Sequence, residues 1–360
     1  MKIFRCSVLA ALAAVGLAAC AAECNPEIVR KDVKVVRREI VVSVIGEPLA
    51  PISLAKGAKD RVQVMIDYWT AAMDKEIGAK PDLVVLPEIS DTWTGCSHAD
   101  RLVWLKERGD RILNAWKAYA ARHRCYLVYP TYRDRGDGTF SNCCFLLDRD
   151  GDAITVYDKF QPTVRDLGNT EMTVIPGEKA VVATTDFGTV GFLICFDVNY
   201  SEIQDLYAPL KPDVLVFPSY CDGGIYRQHW AIRCQSYFIA ATVGRIDKSI
   251  VGPSGETLID TIRPRRKPEF HTFSFRINTN SRTCFLDFNE KQINAAKKKY
   301  GGDLQIRSGG RDELITLISE NPEKPIDDII AEFGIETWTA YYARSVKARV
   351  DRLKDYKQTK

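Results

Sequence analysis

Thr189-Val190-Gly191-Phe192-Leu193-Ile194-Cys195, followed at once by Phe196-Asp197, is an apolar run that stops on polar residues. Seven residues are short for a helix, and the lack of polar alternation reads as a strand buried on both faces. Outward from it, the same signature returns in Glu39–Ile45 (EIVVSVI), in 83–86 (LVVL), in 126–129 and in 214–217 (VLVF), with a further strand at 240–244. Helical spacing fills the gaps. In 60–77, Val62, Met65, Ile66 and Trp69 share a face, and 101–122, 200–210 and 228–238 read alike, which makes Trp69 and Trp116 core residues. Residues 140–148 and 153–157 form a hairpin across Arg149-Asp150-Gly151, and 249–251 with 257–260 flank the turn Pro253-Ser254-Gly255. Strands interleaved with helices predict an α/β fold with sheets covered on both sides.

The chain has 360 residues and a formal charge of only +3, so composition gives no case for a nucleic-acid partner. Residues 1–19 differ in kind from the rest. Lys2 and Arg5 precede the apolar run 8–19, which is too short to span a bilayer about 30 Å thick and reads as a signal-peptide core. It ends in Leu17-Ala18-Ala19-Cys20, which resembles the bacterial lipobox; Cys20 is then the lipid-bearing first residue of an exported, membrane-anchored protein. The alternative is a secreted soluble protein cleaved nearby, after Ala22. Residues 20–38 are polar and predict a tether. Eleven cysteines permit disulfides outside the cytoplasm, but spacing does not give a pairing, and no Cys-x-x-Cys repeat suggests a metal.

Three strand ends carry chemistry. Glu88 follows 83–86 through Pro87, Lys159 follows Tyr157-Asp158, and Cys195 ends the run quoted first. In α/β folds, ligand sites assemble at the carboxyl ends of strands. A thiolate attacks an acyl carbon, a lysine ammonium favours that thiolate and steadies an oxyanion, and a carboxylate moves the protons. The group is able to cleave an amide, and no cofactor is called for.

Pro87-Glu88, the Tyr157-Asp158-Lys159-Phe160-Gln161-Pro162-Thr163 stretch and Ile194-Cys195-Phe196-Asp197, in this order, resemble the signatures of the nitrilase superfamily of carbon–nitrogen hydrolases. Ile175-Pro176-Gly177-Glu178, Phe217-Pro218-Ser219, Trp230 with Arg233, and 251–256 extend the likeness from about Val41 to Asp260. The resemblance implies a four-layer α-β-β-α sandwich that dimerises through its sheets. It implies Glu88 as general base and acid, Lys159 as oxyanion stabiliser, Cys195 as nucleophile and the Phe196 N–H in the oxyanion hole. A second glutamate beside the lysine is expected at Glu171, with Glu178 as the fallback. Trp93, Asn199, Tyr220 and His229 are candidate pocket residues; Asp197 and Asn199 are candidates for starting the helix or structuring the pocket.

This chain departs from the pattern at Ile89-Ser90-Asp91-Thr92-Trp93 and at 220–226. Nitrile-cleaving relatives usually place Trp-Glu after the cysteine, so Phe196-Asp197 points to the amidase or carbamoylase branch. The substrate implied is a small linear amide or N-carbamoyl compound; nitrile hydrolysis and an idle sandwich kept as a binding module are the alternatives. The expected division is 1–19 signal peptide, 20–38 tether, 39–285 hydrolase domain and 286–360 a small helical C-terminal extension. In the extension 291–300, 313–320 and 326–347 read as helices. The basic runs 263–267 and 297–299 read as solvated faces.

Overall fold

Alternate residues of each apolar strand go to different places, and this creates the layers. The computed structural model describes residues 26–30, 32–51, 60–261, 271–309, 313–321 and 323–358. The lipobox cysteine Cys20, Cys24, the 263–267 run and Pro322 lie outside the described residues. The first half holds strands β1 (Glu27–Val29), β2 (Glu39–Ile45), β3 (Leu83–Val85), β4 (Tyr126–Asp134), β5 (Phe140–Leu147) and β6 (Ala153–Asp158), with helices α1 (Arg61–Asp74), α2 (His98–Arg108) and α3 (Arg111–His123). The second half begins with the single turn α4 (Val164–Leu167). It continues through β7 (Val181–Thr185), β8 (Gly188–Phe192), α5 (Ser201–Tyr207), β9 (Val214–Ser219), α6 (Tyr226–Cys234), β10 (Tyr237–Thr242), β11 (Ser249–Val251), β12 (Thr257–Asp260) and β13 (Thr272–Asn278).

Strands β13-β2-β3-β4-β5-β6 form one sheet and β1-β7-β8-β9-β10-β11-β12 the other. Val42, Val44, Leu83, Val85 and Val128 of the first sheet pack against Val190, Phe192, Val214, Val216 and Ile239 of the second. Their neighbours Val84, Leu86, Leu127 and Tyr129 face outward onto Trp69 and Trp116 of α1 and α3. Leu215, Phe217 and Phe238 face outward onto Tyr207 and Trp230 of α5 and α6. The implied four-layer α-β-β-α sandwich is therefore the observed fold. Both faces of each central strand are dry, which is why the strands show no polar alternation.

Strand β2 occupies the bounds read from sequence, and the 101–122 helix breaks in two. Gly109, at φ 48°, ends α2 and lets α3 start afresh at Arg111. Part of the expected tether is also structural. Glu27–Val29 pairs in parallel with Val181–Ala183, and Arg37 bridges to Asp213 at 2.8 Å.

The extension has its own small core. Strands β14 (Ser281–Phe285), β15 (Leu304–Ser308) and β16 (Leu314–Ser319) form a three-stranded antiparallel sheet. Helices α7 (Glu290–Tyr300), α8 (Ile326–Phe333) and α9 (Trp338–Gln358) accompany it, and Ile293, Leu317, Ile326 and Ile329 pack together. The reading of 313–320 as helix is corrected. Leu314–Ser319 is buried at all six positions and paired on both edges, an environment that its β-branched Ile315, Thr316 and Ile318 suit. The unit also starts earlier than residue 286, because Ser281–Phe285 pairs with β16 and with no strand of the sandwich.

Candidate active site

Strand β8 delivers Cys195 through a sharp elbow. The chain leaves Phe192, turns left-handed at Cys195 (φ 47°) and enters a short 3-10 turn over Cys195–Asn199. Asp197, fully buried, fixes that elbow to the lysine strand. Its Oδ2 accepts from the Ile194 N–H at 2.9 Å and the Tyr157 hydroxyl at 2.7 Å, and its Oδ1 accepts from the Gln161 N–H at 2.7 Å. The expectation that Asp197 structures the pocket is met by these contacts.

Lys159 follows β6 and Glu88 follows β3, each almost wholly buried, at 2% and 4% exposure. The Lys159 Nζ donates to Glu88 Oε1 at 2.8 Å, and Asn142 Nδ2 donates to the same oxygen at 2.9 Å. Among the described residues, the other oxygen, Oε2, accepts only the Tyr220 N–H, at 3.2 Å. Burial by itself would favour the neutral amine, but Glu88, then Cys195 and Asp197, more than offset it and hold Lys159 as an ammonium. Ile89, the residue after Glu88, is also left-handed, at φ 42°.

The Cys195 Sγ lies 3.9 Å from the Cys221 Sγ. The two thiols can carry one negative charge between them. The hydrogen bond from Cys195 draws Cys221 down to about 6, and that bond, then burial and Glu88, push Cys195 well above the ordinary thiol range against the pull of Lys159.

Glu88, Asn142, Lys159, Cys195 and Tyr220 line one cavity of about 290 Å³, whose outer wall includes His98, Arg101, Tyr132 and Asp166. Not every candidate from the sequence is there. Glu171 is exposed, and so is Glu178; the further carboxylate that lines the cavity is Asp166. Burial raises the Asp166 pKa, but the Thr163 hydroxyl, Lys159 and His98 outweigh it and lower the value overall. Glu171 follows the Asn169 side-chain turn, whose Oδ1 accepts the backbone N–H of Glu171 and of Met172, and Met172 takes the buried place. Trp93 is buried edge-to-face on Trp104 in the helix-side core, away from the cavity. Asn199 is exposed and donates to the Phe196 carbonyl at 3.2 Å. His229 lies in a separate groove of about 550 Å³ beside Trp338 and Tyr342. Tyr220 alone of the four pocket candidates borders the cavity.

Asn142 was missed in the sequence, although a signal was present: it is an amide inside the apolar strand Phe140–Leu147. Among the described residues no group of three His, Cys, Asp or Glu side chains is arranged to hold a metal, and all eight cysteines are free.

The family model described as "Carbon-nitrogen hydrolase" matches residues 53–259, more than half of the chain. The chain belongs to the carbon–nitrogen hydrolase family. Curated relatives include the nitrilase and fragile histidine triad fusion protein of Drosophila melanogaster, 24% identical over 264 residues, 63% of this chain and 56% of that protein. The human omega-amidase NIT2 is 25% identical over 154 residues, 37% of this chain and 56% of the relative. The chain spans about half the length of the curated relatives it matches. Among solved structures, the carbon-nitrogen hydrolase from Helicobacter pylori G27 aligns with TM-score 0.55 at 15% identity, covering 73% of this chain and 93% of that one. An amidase from Nesterenkonia sp. aligns with TM-score 0.54 at 17% identity, covering 66% and 89%. At these identities the structural likeness speaks for the fold.

Proposed function

We propose that this carbon–nitrogen hydrolase cleaves a non-peptide carbon–nitrogen bond of a small linear amide or N-carbamoyl compound, with Cys195 as nucleophile. The observation that carries the reading is the meeting of Glu88, Lys159 and Cys195 in one cavity, with Glu88 and Lys159 joined at 2.8 Å. Attack of the Cys195 sulfur on the acyl carbon goes with transfer of the thiol proton to Glu88. Oε1 of Glu88 already accepts two donors, whereas Oε2 accepts one and keeps capacity for the proton. Lys159 and the Phe196 N–H steady the oxyanion. Glu88 then gives its proton to the departing nitrogen, and ammonia or an amine leaves a thioester on Cys195. Water, deprotonated by Glu88, attacks the thioester and regenerates the thiol.

Relatives named omega-amidase and neighbours named amidase support an amide over a nitrile, as does Phe196-Asp197 after the nucleophile. The proposal includes export with a lipid anchor on Cys20, and a homodimer as the working unit. Purified protein should release ammonia or amine from members of a panel of amides, ureido compounds and nitriles. Acid-quenched samples should show the acyl mass on the peptide containing Cys195. An adduct confined to another residue, or turnover that survives Cys195→Ala to within about tenfold, sinks the reading.

A further inference from the structure

Two neighbouring strands each deliver a thiol to the same place. Strands β8 and β9 pair in parallel with Phe192 opposite Val216, so their carboxyl ends lie side by side. Cys195 comes just after β8, on the left-handed elbow that Asp197 holds. Cys221 comes just after β9, and the Ser219 side chain fixes it there. The Ser219 Oγ accepts the Cys221 N–H at 2.8 Å and lies 3.3 Å from the Cys221 Sγ. The two sulfurs stand 3.9 Å apart, too close for another atom to lie between them. A disulfide needs about 2.05 Å, so each sulfur has to move by only about 1 Å. Both residues are partly exposed, and Cys195 lines the cavity of about 290 Å³, so a solute the size of a peroxide reaches the pair.

The remaining described cysteines are differently placed. Five are buried, and burial pushes their thiols up, Cys125 to about 11 and Cys234 to about 12. Cys96, on the wall of the same cavity, is likewise pushed up to about 11 by burial. Cys221 alone among the eight is drawn down, by the hydrogen bond from Cys195. The thiolate is the form that peroxides oxidise, so oxidation starts at this pair.

We propose that Cys195 and Cys221 are a reversible oxidation site: a peroxide joins them as a disulfide, which blocks the nucleophile and spares it irreversible oxidation. The thiolate of the pair attacks one peroxide oxygen; an S–O bond forms, the O–O bond breaks, and the hydroxide released is protonated to water. That sulfur, oxidised by two electrons, is now a sulfenic acid. The partner sulfur attacks it, the S–S bond forms and the S–O bond breaks, and the departing hydroxide leaves with the partner's proton as a second water. Two thiols and one peroxide give one disulfide and two waters, whichever sulfur reacts first. A dithiol reverses the bond by exchange and is itself oxidised. The loss of turnover rests on the hydrolase reading, while the disulfide itself does not.

The test starts from protein reduced with dithiothreitol and desalted, then treated with hydrogen peroxide. Digestion without reductant should yield the Cys195 and Cys221 peptides joined, about 2 Da lighter than their sum. Turnover should fall by at least about tenfold and return under dithiothreitol to within about twofold of the untreated rate. Cys221→Ser, compared with its own untreated rate, should lose activity at the same dose but not regain it. Its Cys195 peptide should gain about 32 Da, the mass of a sulfinic acid. Wild-type Cys195 recovered as a sulfinic acid, or joined to Cys96, overturns the proposal, and so does a Cys221→Ser protein that dithiothreitol restores as fully as wild type. A reversible Cys195–Cys221 link in a protein that turns over no amide, ureido compound or nitrile keeps the oxidation site and removes the hydrolase reading.

Discussion

Lys159 shows what a single buried residue contributes here. Its ammonium and the Glu88 carboxylate satisfy each other at 2.8 Å in a dry site. Removing one partner strands the other, so Lys159→Met should lose acylation and also destabilise the fold by about 3–5 kcal/mol. Urea denaturation of Lys159→Met against Lys159→Met/Glu88→Gln checks this; the double variant should recover part of the loss, and a single variant as stable as wild type refutes the pairing. Cys221 makes a second residue-scale prediction. Its hydrogen bond is the largest cause that raises Cys195, so Cys221→Ser should lower the Cys195 pKa. Iodoacetamide labelling of Cys195, followed by peptide mass against pH, should show its midpoint move down; an unmoved midpoint rejects the shared-charge account. The three principal site residues were legible because each is a polar type at the end of an apolar strand. Glu171 was not correctly placed, because a local Asn169 turn, invisible in spacing, decides which of its neighbours points inward. Cys221 was visible as part of an unusual 220–226 segment, but its approach to Cys195 is a tertiary fact.

Elements read well at β2, β3 and β9, where a nearly continuous apolar run rich in β-branched residues stands out from its flanks. They read poorly where a short apolar run sat among charged residues, as at β16, because six residues contain too little periodicity to separate strand from helix. One contact joins the ends of elements from opposite sheets. Gly46, after β2, lies under the Lys248 side chain before β11; a Cβ there would sit 1.8 Å from the Lys248 Cε and 2.6 Å from the Thr242 carbonyl. Lys248 donates to the Ile246 carbonyl at 2.7 Å, and burial pulls its pKa down to about 8 against Asp247 and Glu47. Gly46→Ala should therefore cost about 1–3 kcal/mol by overpacking. The pH sign follows from proton counts. Between about 8 and the ordinary lysine value of about 10.4 the unfolded chain binds more protons than the folded one, so stability rises with pH in that window. The urea midpoint of wild type, measured relative to Lys248→Met, should climb from pH 7.5 to pH 10; a flat or falling difference rejects the buried-lysine account.

At the scale of the whole molecule, two sheets packed face to face with helices outside place three strand ends on one rim, and the cavity opens there. The four layers were legible only through the family resemblance; strand and helix alternation by itself reaches an α/β fold and stops. The C-terminal unit was legible as an extension with helices at 291–300 and 326–347, but its sheet was not, since its strands are few and lie among charged residues. The proposed site of attachment lies in residues before the sandwich. No helix among the described residues is long and apolar enough to cross a membrane. Under the proposed lipid anchor on Cys20, stable attachment takes more than one acyl chain, since a single chain holds a protein only marginally. Cys20→Ser should move the protein from the membrane pellet to the soluble fraction or leave it unprocessed. Unchanged fractionation of the variant rejects the anchor.

The left-handed backbone at Cys195 (φ 47°) marks a conflict between durability and activity. Side chains with a Cβ are strained in that region, while glycine is not. Elsewhere in a folded chain, glycine is usually less stable than alanine by about 0.5–1 kcal/mol. At position 195 the order should invert, with Cys195→Gly melting above Cys195→Ala and both inactive. A nucleophilic role for the thiol, as proposed, then keeps this position away from the residue its backbone would favour. Differential scanning calorimetry of the two Cys195 variants decides the matter, and alanine above glycine would mean that the elbow stores no strain.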